Sequence, residues 1–114
     1  MELFQIYSGS TLVGWSALEN GDPPMGVVSG EFKPADGYAV IQAECRSNRD
    51  DQTSLGLSVR TAAGITIPCA GICIADYSLE LGNGCIEVGV LGVPHPLYQE
   101  LFPDHAQMYA RRFD

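Results

Sequence analysis

At 114 residues the chain has the commonest size for one domain, and its 46% hydrophobic content excludes intrinsic disorder. Six basic residues against fourteen acidic ones give a net charge of −8, which argues against nucleic acid or an anionic membrane as a partner. No run approaches the ~20 apolar residues of a membrane span, and Met1-Glu2-Leu3-Phe4 lacks the basic start of a secretory leader, so a cytoplasmic location is expected.

The chain opens as a β-hairpin. Leu3 to Tyr7 is a short apolar run, Ser8-Gly9-Ser10 supplies the turn, and Leu12 to Ala17 resumes the strand. Glu19-Asn20-Gly21-Asp22-Pro23-Pro24-Met25-Gly26 reads as a loop, because Asn-Gly turns tightly and two prolines remove two backbone donors. Val27 to Phe32 reads as the next strand. Tyr38, Ile41 and Cys45 then recur at helical spacing and predict one helix near 36–46, capped by Asp36 or a neighbour. Ser47 to Gln52 is a polar connector.

Leu55, Leu57 and Val59 alternate with polar residues, which predicts a half-buried strand over 54–60. Ala62-Ala63-Gly64 turns the chain into Ile65-Thr66-Ile67, and Pro68 weakens any continuation. Gly71 to Leu81 reads as one extended run, Gly82-Asn83-Gly84 as a sharp turn, and Cys85 to Leu91 as the antiparallel return. Beyond Gly92, Pro94 and Pro96 the pattern becomes helical: Pro96 to Phe102 first, then a helix from Pro103 carrying Met108, Tyr109 and Phe113 inward. The expected fold is a single α+β domain over 1–114. It has a mostly antiparallel sheet of about six or seven strands, a helix near 36–46 and one or two C-terminal helices.

Chemical motifs are sparse. Cys45, Cys69, Cys73 and Cys85 offer no zinc-knuckle spacing, and Cys73 lies among Ile72, Ile74 and Ala75, so four reduced, packed thiols and no bound metal are expected. His95 stands between Pro94 and Pro96, and His105 follows Asp104 at a helix start, where adjacent residues point apart. The glycines do not form a phosphate-binding fingerprint, and Lys33 is the sole lysine, so no nucleotide cofactor is expected. Asp76 and Glu80 share a face if the run around them is a strand, and Glu87 lies on the return. Those carboxylates, with Cys73, His95 and His105, define the alternative reading of a small enzyme or ligand-binding domain using residues 72–105.

The leading reading is different. Trp15, Asp22, Pro23, Pro24 and Met25 are the candidate partner-binding residues, because a rigid proline turn beside the chain's sole tryptophan makes a pre-organised edge with anchor area. A small acidic protein of the inhibitor, immunity or adaptor kind is expected, working by protein–protein contact without catalysis. Bacterial immunity proteins share this general size and charge, although no motif identifies that class. Its partner is another protein or a second copy; a two-fold homodimer covering an exposed strand edge is the expected self-association.

Overall fold

The computed structural model describes residues 3–48, 51–82 and 84–112. Its strands are β1 Phe4–Ser8, β2 Thr11–Ser16, β3 Asn20–Asp22, β4 Val27–Glu31, β5 Lys33–Pro34, β6 Leu57–Arg60, β7 Gly71–Asp76 and β8 Ile86–Leu91. Four short helices accompany them: α1 Gln42–Ser47, α2 Ser78–Leu81, α3 Leu97–Leu101 and α4 Pro103–Arg112. The class is α+β with antiparallel pairing, as the sequence predicts, and among the described residues every strand pairing is antiparallel. The strand count differs. Among the described residues eight strands divide between two four-stranded sheets, β5-β2-β1-β6 and β3-β4-β8-β7.

The division has a physical origin in one long hairpin that folds over. The chain from β2 to β3 runs antiparallel to the chain from β4 to β5: Trp15 pairs with Lys33 in the first sheet, and Asn20 pairs with Ser29 in the second. The two bends fall at Leu18 and Phe32, which are 1% exposed each. Leu18 adopts a left-handed φ of 48°, a conformation costly for a bulky side chain, and its surroundings fix it there. Its N–H donates to Ser16 Oγ at 3.1 Å, and its carbonyl accepts from His105 Nε2 at 2.8 Å. Across the bend the Glu19 carboxylate accepts the N–H of Glu31 at 3.0 Å.

Both sheets turn their apolar faces to one shared core: Phe4, Ile6, Val13 and Val59 from the first, Val28, Ile74, Val88 and Val90 from the second. Tyr38, Ile41 and Cys45 enter from one side, Tyr98 and Phe102 from another. The helical periodicity over 36–46 is real, but it does not produce one helix. Asp36–Val40 is a 3-10 turn followed by α1, because a tight turn carries Tyr38 to Ile41 and an α-turn carries Ile41 to Cys45, keeping all three buried. The turn starts from Ala35 without a side-chain cap.

Two carboxylates explain where other predicted strands stop. Asp51 accepts the N–H and hydroxyl of Thr53 at 3.1 and 2.7 Å, so Thr53–Leu55 curls into a 3-10 turn and β6 begins only at Leu57. Asp76 likewise accepts the N–H of Ser78, so β7 ends there and α2 replaces the extended run expected to Leu81. Asp76 and Glu80 therefore do not share a strand face. Asn83 and Phe113 lie outside the described residues. Met108 and Tyr109 are 66% and 37% exposed, so neither is carried into the core by α4 as the pattern predicts.

The sheet edges are short or covered. Ile67 donates to the Val59 carbonyl beside β6, and Thr66 bridges Arg60, so the 65–67 segment returns along that edge. Beside β7 the buried Gln52 amide pairs with both backbone groups of Ile74, at 2.7 Å each, in the manner of a missing strand. Edge pairing, the basis on which the sequence suggests a dimer, thus has little free backbone to use in these places. Among the described residues no helix is long and apolar enough to cross a membrane.

Candidate functional site

The turn of the long hairpin is where the sequence places its binding edge. Asn20-Gly21-Asp22 is strand and not loop, since its backbone pairs with β4 through Ser29, Val28 and Val27. Pro23–Met25 then forms a single 3-10 turn, in which proline's fixed φ suits the first positions and its missing N–H is not needed. Gly26 closes the turn at φ 66°, donating to the Pro23 carbonyl at 3.0 Å. That carbonyl also accepts from His95 Nε2 at 3.0 Å, while His95 Nδ1 meets the Gln99 side chain at 2.8 Å. The tip is fixed before any partner arrives.

The C-terminal helices build the second wall. A run of ring contacts, His95 to Tyr98 to Phe102 to Phe4, with centroids 5.3–5.5 Å apart, docks α3 on the core. The Tyr98 hydroxyl donates to the Val27 carbonyl at 2.9 Å, and burial, with the Asp22 charge adding to it, pushes that phenol up to about 12 against a backbone hydrogen bond. His105 stacks on Phe102 and reaches across to Leu18, which fixes its proton on Nε2. Gly21 is required here: a Cβ on it would lie 2.6 Å from His105 Cγ and 2.7 Å from the Tyr98 hydroxyl.

Between β3 and α4 runs a groove of about 410 Å³, lined by Glu19, Asn20, Gly21, Asp22, Pro23, His105, Met108 and Tyr109. A second hollow of about 380 Å³ adjoins it behind His105, lined by Leu18, Leu101, Phe102, Asp104 and their neighbours. Glu19, His105 and Met108 border both. Pro24 is exposed at the tip, Met25 is 69% exposed and Met108 66%. The rim is acidic through Glu19, Asp22 and Asp104, all exposed.

Four of the five predicted partner-binding residues thus sit together: Asp22, Pro23, Pro24 and Met25, with Pro23 buried as the anchor of the turn. Trp15 does not join them. The Leu18 bend separates it into the first sheet, where it stands half-buried between Lys33 and Gln5. The sequence assigns His105 to the alternative reading and Met108 and Tyr109 to the core, and the signal that could have joined them to the turn was the polar sequence of the last helix, which leaves little of it to bury.

The residues of the alternative, catalytic reading are dispersed. Asp76 is fully buried and accepts from Tyr38 Oη at 2.6 Å, Gln42 Nε2 at 3.3 Å, and Ser78 N and Oγ at 2.8 and 2.5 Å; Arg46 Nε lies at 3.7 Å. Burial raises this carboxyl, but the hydrogen bonds from Ser78, Tyr38 and Gln42 outweigh it and hold it at about 2. Burial also drives the Tyr38 phenol far above its usual range and the Cys45 thiol to about 11. These are the properties of a fixed structural network joining α1 to β7, with its protons held in place. Glu87 faces outward on β8, and Cys73 borders a separate hollow of about 370 Å³ beside Gln52 and Thr53. The four cysteines form no disulfide, and among the described residues no three His, Cys, Asp or Glu side chains converge as a metal ion would need. Comparisons with protein-family models, curated proteins and solved structures find no match to this chain.

Proposed function

We propose that the chain is a non-catalytic interaction protein whose binding surface is the groove between the hairpin tip and α4. The observation that carries this reading is the coincidence of the exposed Met108 with Asp22 and Asp104, which pair with no cation among the described residues, around two adjoining pre-formed hollows, with the exposed Met25 on the turn beside them. Methionine adapts to varied apolar surfaces, and the fixed proline turn lowers the entropy lost on binding. The acidic rim selects a partner protein that presents cations around an apolar or aromatic anchor, and steers it there in a salt-dependent way. A cofactor has no part in this reading.

A fluorescein-labelled peptide rich in arginine and lysine with one tryptophan serves as the probe. Wild-type protein is expected to bind it, more weakly as salt rises. Met108→Ser combined with Asp22→Lys should weaken binding at least roughly tenfold, about 1.4 kcal/mol, with stability changed by about 0.5 kcal/mol or less per exposed site. Val40→Ser, at a position 84% exposed elsewhere, should leave binding unchanged. Binding that survives the double substitution but is lost with Cys73→Ser would overturn the assignment.

A further inference from the structure

The molecule carries a second surface whose character is opposite to the groove. On the outer face of the first sheet, Lys33, Trp15, Gln5 and Arg60 form one row across four strands. Tyr7 lies in the next row, with the Arg60 guanidinium 3.9 Å from its ring centre. No strand position facing this side carries a carboxylate among the described residues. In a chain with fourteen acidic residues and six basic ones, that concentration of cations and aromatic rings stands out from the rest of the surface. Neither Lys33 nor Arg60 pairs with a carboxylate among the described residues, and Arg60 Nε is buried under the stack without an acceptor.

We infer that this face is the counter-surface for the acidic groove of a second copy of the chain, so that copies associate groove to sheet. The inference rests on the groove reading and names its partner. Charge complementarity selects the occupant: the face offers Lys33 and Arg60, paired with no carboxylate among the described residues, and the groove and its adjoining hollow offer Asp22 and Asp104. The apolar parts match as well, since the exposed Met25 and Met108 thioethers suit contact with the half-buried rings of Trp15 and Tyr7. The two surfaces differ, so the contact is heterologous and closes into a ring or runs on as a short chain.

Light scattering from about 10 µM to about 1 mM at low salt is the test, over the range where weak self-association is read. The mass of the wild-type chain should climb above 12.2 kDa with concentration and fall back at about 0.5 M salt. Lys33→Glu with Arg60→Glu should weaken association at least roughly tenfold, as should Asp22→Lys with Asp104→Lys. Mixing these two variants, each shown folded by circular dichroism, should restore association, because each reversed surface then meets a reversed partner. A wild-type chain that stays monomeric, or a mixture that does not recover, would overturn the inference. If that monomer still binds the cationic peptide, and Asp22→Lys with Asp104→Lys abolishes that binding, the groove reading stands alone. Peptide binding indifferent to those two substitutions would remove the groove reading itself.

Discussion

Replacing Asp76 with alanine is expected to cost the fold about 3 to 5 kcal/mol, the range seen when one partner of a buried charged network is removed. The carboxylate is the common acceptor for Tyr38, Gln42 and Ser78, and its loss leaves the buried Tyr38 hydroxyl and the Arg46 guanidinium without it. The acid behaviour follows from the same contacts. The folded carboxyl sits at about 2, below the roughly 3.9 of an unfolded aspartate, so its contribution is complete above about pH 4 and is lost as pH falls toward 2. That contribution amounts to about 2 to 3 kcal/mol. Asp76→Asn, which keeps the shape, should therefore show a flatter loss of stability between about pH 4 and 2 than the wild-type chain, measured by urea midpoints. An unchanged acid limb in Asp76→Asn would show that the carboxylate is not held by this network.

Gly14→Ala should be strongly damaging for a single added methyl group, costing about 3 kcal/mol. A Cβ there would lie 2.5 Å from the Lys33 carbonyl and closer still to the Phe32 ring, at the bend where the long hairpin folds over. Backbone cannot swing aside as a surface side chain can, so the strand pair or the Phe32 ring must move. Gly89→Ala on β8 is the control: an added Cβ there meets nothing within 4 Å, and the change should stay near 0.5 kcal/mol. Thermal unfolding of the two variants side by side separates a packing requirement from a general cost of replacing glycine in a strand. Equal losses would contradict the folded-hairpin account.

Much of the fold was legible because it follows from local rules. The alternation of Phe4 and Ile6 with Gln5 and Tyr7, the two-residue turn at Gly9-Ser10 and the prolines before the C-terminal helices all act within a few residues. The split into two sheets was not legible, because it depends on Leu18 holding a left-handed backbone that hydrogen bonds with Ser16 and the distant His105 help to fix. The strand ends at Leu57 and Asp76 were hidden for a related reason: a single aspartate side chain overrides period-two patterning when it captures the backbone two residues on. The candidate site was half legible. Pro23, Pro24 and Met25 announce a rigid, exposed turn, but the opposing wall comes from a helix about 80 residues later in the chain, and no spacing rule links the two. Trp15 is near them in sequence, but the bend at Leu18 carries it into the other sheet.

The measurement that tests the central claim most directly is amide chemical-shift mapping of the wild-type chain titrated with the cationic tryptophan peptide. Shifts should concentrate at Asn20 to Asp22, Met25, Gly26 and Ala106 to Tyr109, saturating together. Shifts confined to Ile72 to Asp76, beside Cys73 and the Asp76 network, would contradict the account and return the function to the strands of the second sheet.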